Sequence, residues 1–236
     1  MKIHPAFMFL TFLVTACMSL TDHPNASAQD PLFQQGKYRY LALGDSYTIG
    51  ESVPPEERWS VVLADLLRQK NVDVSSPEII ARTGWTTAEL MDGIAQRNPK
   101  GLYDLVSLLI GVNNQYRGQG LERYRTELQQ LLRLGISYAG GRSERVVMLS
   151  IPDWGVSPFA QGRDLDKIAR EIDAFNQVAQ EECKKLGVAY VDITPLSRKA
   201  KGDASLIAND KLHFSGKMYR QWAETALPTV QQMLEK

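Results

Sequence analysis

The chain has 236 residues, 44% of them apolar and 23% charged, and its 27 basic and 27 acidic side chains leave no net charge. Neutrality argues against a nucleic-acid binder, which carries a basic excess or stripe. A mature chain of this length can bury about 70% of its unfolded surface, enough for one well-cored domain, and no internal repeat, heptad run or low-complexity tract interrupts it.

The amino terminus reads as a targeting segment. Lys2 supplies a positive start and residues 6–16 an apolar stretch, which suits a signal-peptide core and is far short of the roughly 20 residues a membrane span needs. Val14-Thr15-Ala16-Cys17 resembles a bacterial lipobox. The expectation is a signal peptide over residues 1–16, a lipidated Cys17 attaching an exported protein to a membrane, and a polar tether over 17–36 containing Pro24 and Pro31. Ala26-Ser27-Ala28 is a competing processing site, and cleavage after Ala28 would give a soluble periplasmic or secreted protein. Asn25-Ala26-Ser27 fits a glycosylation sequon by chance. The only other cysteine, Cys183, falls on the apolar face of a predicted helix. It is expected to be a buried, inert thiol, with no internal disulfide.

Beyond the tether, residues 37–236 are expected to form the folded domain. Strand-like apolar runs cover residues 38–43, Glu78–Ala81, 102–110, 145–151 and 188–192. The run from Leu105 to Ile110 is almost continuously apolar, as a parallel strand covered on both faces should be. Helical spacing puts Leu121, Tyr124, Leu128, Leu131 and Leu132 on one face. It does the same for Leu165, Ile168, Ile172, Phe175, Val178 and Cys183, in a helix that Gly187 ends. Asp166 with Arg170, and Lys167 with Glu171, stand one turn apart. A last helix over residues 215–234 has to kink or break at Pro228. Five strands alternating with helices predict an α/β fold, a three-layer α/β/α sandwich around a five-stranded parallel sheet.

In such sheets ligands bind beyond the carboxyl ends of the strands. Gly44-Asp45-Ser46 follows the first strand directly, and His213, the one histidine beyond the amino-terminal segment, stands three residues after Asp210. A hydroxyl is a poor nucleophile until a base removes its proton, and an imidazole is a better base when a carboxylate fixes its tautomer. Asp153 and Asp192 also end strand-like runs and compete with Asp210 for that role. Asp45 is expected to brace the turn rather than move protons.

These residues fall into four separated blocks that resemble the SGNH hydrolases, also called the GDSL esterase/lipase family. Gly44-Asp45-Ser46 matches the first block, Arg82-Thr83-Gly84-Trp85 the second, Gly111-Val112-Asn113-Asn114 the third and Asp210-Lys211-Leu212-His213 the last. The resemblance implies a flavodoxin-like fold and a triad of Ser46, His213 and Asp210. It also implies an oxyanion hole from the N–H groups of Ser46 and Gly84 with the Asn113 amide. Tyr47 stands in place of the leucine of the family name, Asn114 where many members have aspartate, and Phe214 where proline often follows the histidine. The Gly-x-Ser-x-Gly elbow of other hydrolases is absent.

Tyr47, Trp85, Tyr116, Trp154 and Phe159 sit in segments at the same end of the predicted sheet and are candidates for the substrate pocket. No cofactor and no metal are expected: one histidine and one retained cysteine do not make a zinc site, and no phosphate-binding glycine loop occurs. Modest loops without an inserted lid lean toward accessible esters, whether short acyl esters, acetylated glycans or lysolipids. The reading is a serine esterase working through an acyl-enzyme on Ser46. The alternatives are a non-catalytic glycan- or lipid-binding module and an acyltransferase using the same site.

Overall fold

The computed structural model describes residues 33–236. The expected signal peptide, both processing sites, Cys17 and most of the tether lie outside the described residues. Five strands, β1 (Tyr40–Gly44), β2 (Glu78–Ala81), β3 (Leu105–Leu109), β4 (Val146–Leu149) and β5 (Ala189–Val191), form one parallel sheet in the order β2-β1-β3-β4-β5. β1 pairs with β2 on one side (Leu41 opposite Glu78) and with β3 on the other (Tyr40 opposite Leu105). Every residue of β1, β3 and β4 is buried, which is why these segments read as apolar runs rather than alternating ones. β2 matches its expected run, and the other four strands are shorter than theirs by one to four residues, with flanking apolar positions such as Tyr103, Ile110 and Ile151 buried in the connections.

Eight helices cover the sheet: α1 (Ser46–Ile49), α2 (Trp59–Gln69), α3 (Thr87–Arg97), α4 (Val112–Tyr116), α5 (Leu121–Tyr138), α6 (Leu165–Leu186), α7 (Thr194–Arg198) and α8 (Gly216–Glu235). α2 packs on α8, while α5 packs on both α3 and α6, giving the two outer layers. The expected stripes are buried: Tyr124, Leu128, Leu131 and Leu132 on α5, and Ile168, Ile172, Phe175, Val178 and Cys183 on α6. Leu121 and Leu165, at the first turns, stay exposed. α6 starts at an Asp164 cap, whose carboxylate accepts the Lys167 N–H at 2.8 Å, and ends at Gly187 with φ +70°. Burial pushes the Cys183 thiol up to about 12, so it stays protonated and inert.

α8 continues through Pro228 without a break. Pro228 lies on the solvent face, as does Glu224, whose carbonyl loses its i+4 donor, so water can satisfy that group. Of the two surface pairs expected on α6, Lys167 and Glu171 close to 3.8 Å, and no ion pair joins Asp166 to Arg170 among the described residues. No helix of the described residues is long and apolar enough to cross a membrane.

Candidate active site

Each of the first three sequence blocks leaves the carboxyl end of its strand and enters a helix. After β1 the chain turns sharply into α1, and Gly44 is required there by space. A Cβ at that position would collide with the Thr48 side chain and the Leu109 carbonyl. Asp45 caps α1, accepting the Tyr47 N–H on Oδ1 at 3.0 Å, which is the bracing expected of it. Ser46 is the first residue of α1 and almost buried. A first-turn N–H has no acceptor within its own helix and is free for another partner.

After β2, Gly84 adopts φ +85°, a conformation that costs other residues strain. Arg117 holds this turn: its guanidinium donates to the Gly84 carbonyl at 2.5 Å and pairs with Glu89 at 3.2 Å. Glu89 in turn closes a capping box with Thr86 at the start of α3. After β3, Asn113 donates one amide N–H to the Trp85 carbonyl at 3.0 Å. That bond orients the amide and leaves its second N–H for another acceptor. Asn114, at the family's usual aspartate position, is fully buried and ties the second and third blocks together. It accepts the Thr87 N–H at 3.1 Å and donates to the Thr87 hydroxyl at 2.6 Å and the Gln119 side chain at 2.9 Å.

The fourth block lies in a loop before α8, closed by the Ala208 N–H donating to the His213 carbonyl at 2.8 Å. Asp210 Oδ1 accepts the N–H groups of Leu212 and His213, both at 2.9 Å, and Oδ2 lies 2.6 Å from His213 Nδ1. The Asp-x-x-His spacing makes this local chelate, because an aspartate readily accepts from the backbone two residues on. The Ser52 hydroxyl donates to the same Oδ2 at 2.7 Å. Burial pushes the Asp210 carboxyl up, but the donors from Ser52, His213 and the backbone outweigh it and hold the group down at about 2. It is therefore ionised throughout the neutral range.

Ser46, Gly84, Asn113 and His213 line one pocket of about 170 Å³, together with Tyr47, Thr83, Val112, Tyr116, Trp154, Phe159 and Leu212. Tyr47 stands edge-on to the His213 ring, centroids 5.6 Å apart, and packs against Phe214 and Trp222. Tyr116, Trp154 and Phe159 contact one another as an aromatic wall. The Trp85 ring is not part of this lining. It lies against Gly93 of α3, away from the other candidates, and reaches the site only through its carbonyl. The competing aspartates are committed elsewhere, Asp153 to Arg198 at 2.9 Å and Asp192 to the Ser150 hydroxyl at 2.9 Å.

The domain as a whole has counterparts. The model of the family described as "GDSL-like Lipase/Acylhydrolase family" matches residues 42–221. The chain belongs to that family. Solved structures share its fold at low identity. A psychrotrophic esterase, EstA from Pseudoalteromonas sp., is 17% identical, with 84% of this chain and 100% of that chain covered and a TM-score of 0.62. The acetylxylan esterase Axe2 from Geobacillus stearothermophilus is 18% identical over 83% of this chain and 94% of its own, with a TM-score of 0.62. A lipase/acylhydrolase from Enterococcus faecalis is 21% identical over 83% and 96%, with a TM-score of 0.59. No curated protein matches.

Ser52 and Arg117 escaped the sequence reading, although both touch family motifs. Ser52 has φ +66°, unusual for a residue other than glycine, and bonds to a residue distant in sequence. Nothing local in the sequence announces either contact.

Proposed function

We propose that this GDSL-family hydrolase is a serine esterase that cleaves small carboxylic esters through an acyl-enzyme on Ser46. One observation carries the reading: Ser46, His213, Gly84 and Asn113 share a pocket, with Asp210 Oδ2 at 2.6 Å from His213 Nδ1. His213 Nδ1 faces the carboxylate, so Nε2 is the nitrogen left to serve as base. Ser46 Oγ attacks the ester carbonyl carbon while its proton passes to Nε2. The negative oxygen of the tetrahedral intermediate is met by the N–H groups of Ser46 and Gly84 and the second amide N–H of Asn113. Such preset donors are effective because they need no reorganisation as charge develops. Collapse expels the alcohol, which takes the proton from His213, and a water molecule then repeats the sequence to release the acid.

The pocket's about 170 Å³ is small beside the roughly 300–1,000 Å³ of typical small-molecule sites, which favours a short acyl chain. Ser46→Ala is expected to abolish hydrolysis of p-nitrophenyl acetate and labelling by a fluorophosphonate. Unchanged turnover in that variant removes Ser46 from the chemistry. Export and membrane attachment through a lipidated Cys17 belong to the same proposal. Labelled palmitate incorporation that survives Cys17→Ser would end the lipidation part of it.

A further inference from the structure

Arg163 lies at the mouth of the pocket, exposed, in the turn just before α6. Its guanidinium carbon stands 5.3 Å from the Tyr116 ring centroid, 5.2 Å from Trp154 and 5.0 Å from Phe159. These are the three rings of the pocket's aromatic wall. The Tyr116 hydroxyl accepts from the guanidinium at 3.3 Å. Among the described residues, no carboxylate pairs with Arg163 within 4.0 Å. The neighbouring Asp164 is turned to its own duty as the α6 cap. The pocket lining itself holds no Asp, Glu, Lys or Arg, and Arg117, which holds the Gly84 turn behind it, is paired with Glu89.

An arginine spread over aromatic faces is held in one plane at little entropic cost, with most of its five N–H donors uncommitted. The ester pocket has space for a short acyl group, so the larger, alcohol side of a substrate has to lie over the aromatic rim. We propose that Arg163 selects esters whose alcohol portion carries an anionic group, a carboxylate or a phosphate, and docks that group against the aromatic-stacked guanidinium. Resting on the esterase reading, this names the substrate class. The rings contact the apolar body of the alcohol, and the guanidinium fork takes the anion beside them.

The test compares kcat/KM for phenyl acetate with kcat/KM for 3-carboxyphenyl acetate and for 3-acetoxyphenyl phosphate, in the wild type, Arg163→Gln and Arg163→Lys. The ratio of anionic to neutral ester is read within each protein, so differences in leaving group cancel between proteins. Arg163→Gln is expected to lower that ratio about fivefold, the upper end for an exposed charge pair. Arg163→Lys, which keeps the charge without the planar fork, should fall between. Larger loss with the carboxylate or with the phosphate tells which anion the site fits. In the wild type the preference should also shrink as salt rises from about 0.01 M to about 1 M, because the site is exposed. A ratio unchanged in Arg163→Gln, or a preference indifferent to salt, overturns this inference and leaves the esterase reading standing. If the wild type hydrolyses none of the three esters, the esterase reading falls and takes the inference with it.

Discussion

The Asp45 carboxyl, next to Ser46, is predicted to make stability depend on pH in a way opposite to most aspartates. It is fully buried, and of its two oxygens only Oδ1 has a hydrogen bond, from the Tyr47 N–H. Burial raises its pKa from 3.8 to about 7, with the backbone donors offsetting only part of the cost. The folded chain therefore keeps this proton over a range in which the unfolded chain has lost it. The sign follows: this group's contribution is full below pH 3.8, falls as pH rises toward about 7, and is flat beyond. At ~1.4 kcal/mol per pH unit, the whole window is worth at most about 4 kcal/mol, of which about 3 lie between pH 5 and 8. Asp210, held at about 2, contributes with the opposite sign, but its change is over before pH 5 and does not interfere.

Asp45→Asn removes the titration and keeps an oxygen to cap α1. It also buries an amide donor without a partner, a cost of about 1–3 kcal/mol that is the same at every pH. The informative quantity is therefore the change in the mutant-minus-wild-type difference, not the difference itself. Urea unfolding of both proteins at pH 5, 6, 7 and 8 should show the mutant gaining on the wild type by about 3 kcal/mol across the series. A difference that stays constant from pH 5 to 8 refutes the argument, because it would mean that Asp45 is ionised in the folded state throughout.

Three further outcomes are expected. Asn113→Ala should lower kcat for p-nitrophenyl acetate by about 10²–10³-fold with little change in KM, the loss typical of one oxyanion donor. Ser52→Gly and Ser52→Ala both remove a donor to Asp210, and each should lower kcat about fivefold, since water can partly replace an exposed hydroxyl; Ser52→Asn, which tolerates φ +66° and brings an N–H, should recover most of it, as steady-state kinetics of the three variants would show. Gly93→Ala would drive a methyl into the Trp85 ring, and urea unfolding should show a loss of about 1–3 kcal/mol.

Much of this fold was legible because its strands are short, buried on both faces and separated by helices with strong periodicity. The Glu78–Ala81 strand and the carboxyl end of α6 follow directly from sequence, the latter because Gly187 has a natural use past a helix terminus, whereas the Asp164 cap at its start was not singled out. α2 and α3 were not singled out, although Thr86 and Glu89 are a legible capping box at the start of α3. The helix does not break at Pro228, for a reason that local sequence hides: the missing hydrogen bond falls on the solvent side, where it costs least.

The site divides in the same way. Ser46, Gly84, Asn113 and His213 were legible because each follows a strand or a signature spacing, and parallel topology gathers such positions at one edge of the sheet. Trp85 was misjudged as pocket-lining because adjacency in sequence to Gly84 says nothing about direction: Gly84 turns the chain at φ +85°, and the indole goes under α3 instead. Ser52, Arg117 and Arg163 were invisible because their meaning is tertiary. Arg117 holds Gly84 in place, Ser52 links the turn that carries Ser46 to the carboxylate bonded to His213, and Arg163 finds three rings from the end of α4 and the segment after β4. Sequence motifs thus mark the groups that could react. The contacts that hold the two halves of the site together, and the seating of Arg163 on the aromatic wall with no carboxylate partner among the described residues, emerge only once the chain is folded. Those contacts are also where members of one family can differ in substrate without altering the reacting groups.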